Sequence, residues 1–274
     1  MSTTTNPSRS LQPLVGATAG TAKEYKHVIE LASFWGAEHW HFPGEMLMAL
    51  AYVTQEQVDR SYFHVTERKP YVLNWLGLMG ISEDRVIEGK IMAKHLLVPE
   101  AGRCGTPARK HVDWLQTSLQ KLTGVRMTRT VILSKRAQRG AADHDAIEAS
   151  VKEWAKQNDF EFVLRRDDKL GTIREQVEFM QRAAILVHPH GAQEVFDIGV
   201  QRGACKIEML DVHNINLCYA RVSFLSGHQY NAVSCILHDT TQHDDPTCVS
   251  DIIRRLDTCI VPEGLEGGWI LGSE

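Results

Sequence analysis

The sequence predicts an α/β protein made of two Rossmann-like domains that face each other across a cleft. Three observations predict it. Short apolar or β-branched runs alternate along the chain with amphipathic stretches of roughly 10–15 residues, the pattern of βαβ units and parallel sheets. The alternation restarts after Gly124, where the second series is the more regular. The length, 274 residues, accommodates two domains at ~100–200 residues each.

Residues 1–20 are rich in Ser, Thr, Gly and Ala and read as a flexible leader. A first α/β domain is expected over 21–125. In it Lys26–Ser33 reads as a strand, Pro43–Val53 as a helix, Gln55–Arg60 as a further turn or two, and Ser61–Val65 as a strand. Pro70–Met79 reads as a helix that stops at Gly80, a residue that accepts the left-handed cap. Arg85–Ile87 and Ile91–Val98 are strand candidates. Pro107–Leu122 has proline in its first turn and Val112, Leu115, Leu119 and Leu122 at helical spacing.

The second domain, 126–240, alternates five strands with four helices. The strands are Thr130–Leu133, Glu161–Leu164, Ala184–Val187, Cys205–Met209 and Gln229–Leu237. The helices are Ala142–Gln157, Ile173–Arg182 capped by Thr172, Ala192–Val200 and Asn214–Ser223. Residues 241–274 add a final helix, Thr247–Cys259, and a tail.

Composition bounds the function. Hydrophobic residues at 43% and charged residues at 23% are ordinary globular usage. Thirty Lys and Arg against 34 Asp and Glu leave a net charge of −4, which offers nucleic acid or a membrane surface no global attraction. The richest apolar run, Met46–Val53, falls far short of the ~20 residues of a membrane span. Residues 1–10 lack the pattern of a signal peptide. Six cysteines include no C-x-x-C pair and several sit in apolar strands. They read as buried free thiols, and the compartment as a reducing, cytoplasmic one.

Candidate chemistry collects at strand ends, where open α/β sheets bind ligands. After the first strand comes Trp35-Gly36-Ala37-Glu38-His39-Trp40-His41-Phe42-Pro43-Gly44-Glu45. His41 and Glu45 are four apart, so a helix starting near Phe42 puts them on one side, as a base and its orienting partner. After the first strand of the second domain come Lys135, Arg136 and Arg139, cations suited to a diphosphate in the absence of a glycine-rich cradle. Val187-His188-Pro189-His190-Gly191-Ala192 ends the third strand, and its glycine lets an anion approach a helix start. Glu208, a carboxylate inside the apolar run Lys206–Leu210, needs a partner. A different reading takes the H-x-H pairs His39/His41 and His188/His190 as metal ligands of a hydrolase, and a third takes the chain as a non-catalytic nucleotide-sugar or glycan binder.

The order of these motifs resembles glycosyltransferase family 61. The resemblance rests on His41-Phe42-Pro43-Gly44-Glu45-Met46-Leu47, on the proline segments Val98-Pro99-Glu100 and Cys104-Gly105-Thr106-Pro107, and on the basic strand end Val131–Arg136 with Arg139. It continues through His190-Gly191-Ala192, Gly203, Ile207-Glu208, Tyr219 and Gly227-His228-Gln229-Tyr230, and so spans about residues 30–235. After His-Gly-Ala the family usually has Gly-x-x-Asn, where this chain has Gln193–Asp197.

The resemblance implies a GT-B fold and inverting transfer from a UDP-sugar, xylose foremost, to a hydroxyl of a glycan or glycoprotein. No metal or other cofactor is expected, because the donor half has no obvious Asp-x-Asp near a strand end, its Asp167-Asp168 and Asp244-Asp245 being adjacent pairs, which in extended chain point to opposite sides, and the basic cluster can take the place of a divalent cation. Under the resemblance Glu45, with His41 beside it, is the base, and Lys135, Arg136, Arg139, His190, Gly191, Ala192 and Glu208 face the donor. A short transferase of this kind suits the cytoplasm of a bacterium or of a virus-infected cell.

Overall fold

The computed structural model describes residues 22–136, 140–166, 171–237 and 245–262. Arg139, the leader over 1–20 and the end of the tail therefore lie outside the described residues. The α/β class is as expected: two sheets, with every strand pairing parallel.

The first sheet contains β1 (Lys23–Glu30), β2 (Tyr62–Val65), β3 (Val86–Glu88) and β4 (Ile91–Leu97), in the order β3-β2-β1-β4. The second contains β5 (Thr130–Lys135), β6 (Glu161–Arg166), β7 (Ala183–Pro189), β8 (Cys205–Asp211) and β9 (Gln229–Cys235), in the order β6-β5-β7-β8-β9. Each order reverses direction once. The first sheet turns between β1 and β4, the second between β5 and β7. Such switch points open a crevice at the carboxyl ends of the two diverging strands.

Seven α-helices connect the strands among the described residues: α1 (Gln55–Arg60), α2 (Pro70–Leu78), α3 (Arg109–Thr123), α4 (His144–Gln157), α5 (Ile173–Gln181), α6 (Cys218–Leu225) and α7 (Pro246–Leu256). Thr54 with Gln57, and Thr172 with Glu175, close reciprocal capping boxes at the starts of α1 and α5. Gly124, at φ +66°, ends α3 in the left-handed conformation that costs a glycine nothing. None of these helices is long and apolar enough to cross a membrane.

The expected helix over Pro43–Val53 is instead a π-turn, Phe42–Met46, running into a 3₁₀ segment, Leu47–Tyr52. Phe42, Pro43, Gly44 and Met46 to Leu50 are all buried. With most of its side chains buried, the backbone follows packing rather than the α-helical ladder. Ala192–Gly199 is likewise 3₁₀, and the helix expected from Asn214 begins only at Cys218.

Strand β7, central in its sheet, is buried at every position, as a strand covered on both faces should be. The buried residues of both sheets form one hydrophobic core. Helix α3 joins the halves: it packs on the 3₁₀ segment of the first and on α5, α6 and the Ala192–Gly199 segment of the second. Trp75 stacks on Phe196 across the same seam, ring centres 5.7 Å apart.

The free-thiol expectation is overturned. All six cysteines pair, as Cys104–Cys218, Cys205–Cys259 and Cys235–Cys248. Partners 114, 54 and 13 residues apart in sequence are brought to Cα separations of 5.0–5.6 Å, the spacing a disulfide needs.

Candidate functional site

The switch point of the first sheet builds one half of the site. The chain leaving β1 turns through His41 and into the π-turn, which carries Glu45. His41 Nδ1 lies 2.9 Å from Glu45 Oε1. The loop leaving β4 closes over the same carboxylate. The Cys104 amide donates to Glu45 Oε1 at 2.7 Å, and the Gly102 amide donates to the Glu45 carbonyl at 2.9 Å. Gly102 eases this approach, because a Cβ there would stand a tight 3.0 Å from the Gly44 carbonyl oxygen. Gly44 in turn lies beneath Trp40, whose ring would be 2.8 Å from an added Cβ. Glu45 keeps 14% of its side-chain surface and His41 29%, so the pair is sheltered but open to a ligand.

The switch point of the second sheet builds the other half. Arg136, just past β5, reaches across the crevice and donates from Nη1 to the carbonyl of His190, at the end of β7, at 2.7 Å. Gly191 makes room for it: a Cβ there would lie 1.8 Å from Arg136 Nη1. The Gly191 amide, expected to be open to an anion, is instead held by Glu194 Oε1 at 3.0 Å. Lys135 pairs with the exposed Asp145 at 2.8 Å.

His190 donates from Nδ1 to Glu208 Oε1 at 2.5 Å, and Tyr230 donates its hydroxyl to Glu208 Oε2 at 2.8 Å. Glu208 therefore has the partners its burial demands. Burial opposes its charge, but the His190 hydrogen bond and the Lys206 and His188 charges outweigh burial and hold its carboxyl below the usual range.

Beneath the crevice lies a cluster of buried charge. Lys206 is fully buried, with Nζ 2.5 Å from Glu194 and 3.1 Å from Asp197. His188 Nε2 lies 3.0 Å from Asp197. Burial works against the Lys206 ammonium, but Glu194, Asp197 and Glu208 more than compensate and raise its pKa. Asp197 is pulled down against its burial by His188 and Lys206. Desolvation pushes Glu194 up, the Lys206 charge opposes the rise, and the neighbouring carboxylates of Glu208 and Asp197 add to it.

The two half-sites meet at Tyr219, in the first turn of α6. Its ring lies 4.4 Å from Trp40 and 4.7 Å from His190, centre to centre. The Cys104–Cys218 disulfide ties the loop that clamps Glu45 to the residue before Tyr219. The structure thus forms two groupings, His41 with Glu45 and Arg136 with His190, Gly191 and Glu208, linked through the rings of Trp40 and Tyr219, with Ala192 half-buried at the start of the 3₁₀ segment.

The H-x-H pairs do not converge. His39 packs on Tyr71 at 4.3 Å, and His188 points into the protein. Among the described residues three His–carboxylate groupings are compact enough to hold an ion; His144–Asp145–Glu148 lies at the start of α4, and the two at this site are His188–Glu194–Asp197 and His190–Glu194–Glu208. Both contain Glu194, whose carboxylate is already paired with the Lys206 ammonium.

Several members of this constellation were not singled out from the sequence: Lys206, Glu194, Asp197 and the Cys104–Cys218 bridge. A signal existed for Lys206. It stands two residues from Glu208 within an apolar strand, and positions i and i+2 share a face. Glu194 and Asp197 belong to the stretch that departs from the Gly-x-x-Asn pattern.

The family described as Glycosyltransferase 61 matches residues 39–196, more than half of the chain and parts of both half-sites. No curated protein matches the chain.

Proposed function

The chain belongs to the glycosyltransferase 61 family, and on that premise we propose that it transfers a sugar, xylose in the first instance, from a UDP-sugar to a glycan hydroxyl with inversion. The two sheets then take the roles of a GT-B arrangement, the first serving the acceptor and the second the donor. The observation that carries this reading is the packing of Tyr219 between Trp40, of the segment that holds Glu45, and His190, of the segment that holds Arg136. The first side contributes a sheltered carboxylate and the second a guanidinium.

In this mechanism Glu45 takes the proton of the acceptor hydroxyl as its oxygen attacks the anomeric carbon. The bond from that carbon to the diphosphate breaks, and the electron pair leaves with UDP. Arg136, fixed across the β5/β7 crevice, meets the charge that gathers on the leaving group. His41 and the Cys104 amide aim the Glu45 carboxylate. Glu208 and Tyr230 fix the orientation of the His190 ring at the donor side.

No step calls for a metal ion. Arg136 takes the role that a divalent cation has in other transferases, and the acidic cluster behind it is balanced by Lys206. Three disulfides favour an oxidising compartment over the cytoplasm, since thiols stay reduced in the latter.

The test is UDP release from a panel of UDP-sugars, with glycan acceptors present, in excess chelator. Acceptor-dependent release from UDP-xylose that chelator does not diminish is the expected result. Release that vanishes in chelator and returns with Mn²⁺ would overturn the metal-free mechanism, and release from none of the panel would overturn the donor class.

A further inference from the structure

Beside the Glu45 half-site stand two aromatic rings that the core does not use. Phe34 is 81% exposed and Trp35 56%. They meet edge to face at 4.7 Å, and Trp35 lies over His41 with centres 6.1 Å apart and planes 27° from parallel. His41 is the residue that touches Glu45. The rings stand on a braced turn. Ser33 accepts from Thr66 Oγ1 and donates its amide back to it, at 2.7 and 3.0 Å. The Gly36 and Glu38 amides close on the carbonyls of Ser33 and Trp35, both at 3.0 Å. Gly36 permits this closeness, since a Cβ there would stand 2.7 Å from Thr66 Oγ1.

Large rings held in water by a braced turn mark a ligand surface. The charges nearby, Glu38, Lys69 and Glu67, pair with one another at 3.5 Å. Two carboxylates thus stand against the one ammonium of this group, a balance that does not favour a phosphate or another anion. The chemistry that fits a flat, uncharged aromatic face is the C–H face of a pyranose, whose hydroxyls radiate sideways to polar neighbours.

We propose that Trp35, edged by Phe34, is a stacking platform for a neutral sugar ring of the acceptor, so that the acceptor is a saccharide and not a bare peptide. One face of Trp35 is turned to His41, so a ring on the other face is separated from Glu45 by both side chains and belongs to a sugar further along the acceptor than the one whose hydroxyl Glu45 deprotonates. The proposal rests on the glycosyltransferase reading for its purpose, but its binding step is tested without the donor.

The experiment is direct binding to immobilised xylo-, manno- and chito-oligosaccharides and to unglycosylated Ser/Thr peptides. It compares the unaltered protein with Trp35→Ala, Trp35→Phe and Glu45→Gln, and UDP affinity serves as the folding control. The unaltered protein should bind oligosaccharides and not peptides. Trp35→Ala should weaken its tightest oligosaccharide at least tenfold, Trp35→Phe should restore most of that loss, and UDP affinity should hold throughout. Glu45→Gln should keep oligosaccharide binding. Equal affinity in Trp35→Ala, preference for peptides, or no saccharide binding at millimolar concentration would overturn the platform. Full turnover by Glu45→Gln would instead overturn the base assignment and leave the platform standing.

Discussion

Removing the Cys104–Cys218 bridge should damage stability and transfer while sparing donor binding. The bridge closes 114 residues of chain, so loop-closure entropy alone assigns it about 4.8 kcal/mol, against about 2.9 for the 13-residue Cys235–Cys248 loop. For a protein of this size, that corresponds to a fall in melting temperature on the order of 10 °C. The functional loss has a separate origin. Cys104 positions the amide that donates to Glu45 Oε1 at 2.7 Å, and hydrogen bonds to charged groups are worth roughly 1.5–3 kcal/mol. With the loop released, transfer should fall about ten- to a hundredfold. Cys104 is also exposed, whereas both Cys235 and Cys248 are buried, so a small dithiol should reach the Cys104–Cys218 bridge first. The assay pairs thermal unfolding with initial rates for Cys104→Ser/Cys218→Ser and for the native protein after brief dithiol treatment. An unchanged melting temperature and an unchanged rate in the double variant would refute both arguments.

Gly191→Ala should displace the Arg136 guanidinium and weaken UDP binding about as much as Arg136→Ala does, roughly ten- to a hundredfold. Combining the two should add little, and additive losses by calorimetry would show that the contact is not shared. Lys206→Met should leave Glu194 and Asp197 without their cation and cost about 3–5 kcal/mol by denaturant titration; undiminished stability would mean that the cluster is not a charge cage. Burial, with help from the Lys206 charge, pulls the His228 imidazole down to about 4. Between that value and the unfolded ~6.5 only the unfolded chain binds the proton, so stability should drain away as pH falls through this window, by up to about 3 kcal/mol. A pH profile that keeps its slope in His228→Asn would assign that loss to other groups.

Much of this architecture was legible in the chain. Period-2 and period-3.6 patterning located the strands and most helices to within a few residues, because an apolar strand such as Ile185–Val187 can be buried in few other ways. The placement of His41 beside Glu45, and of Arg136 beside His190, followed from strand ends collecting ligand chemistry. What stayed hidden was non-local. Six cysteines allow 15 pairings, and no local pattern announces that Cys104 will meet Cys218 114 residues away. The π-turn at Glu45 goes with the burial of Phe42, Pro43, Gly44 and Met46 around it, a condition set by the fold and not by local spacing. The pairing of Lys135 with Asp145 on α4 is likewise a contact that the basic strand end alone does not announce.

The most direct test of the account is the comparison of Glu45→Gln with His41→Ala, measuring acceptor-dependent UDP release and UDP affinity on the same preparations. The variant Glu45→Gln should bind UDP as the unaltered protein does and lose transfer by about 10²–10⁴, the share general-base catalysis usually holds. His41→Ala, which removes only the partner that aims the carboxylate, should lose less. Near-normal transfer by Glu45→Gln, with His41→Ala inactive and UDP affinity intact, would contradict the account and make His41 the base.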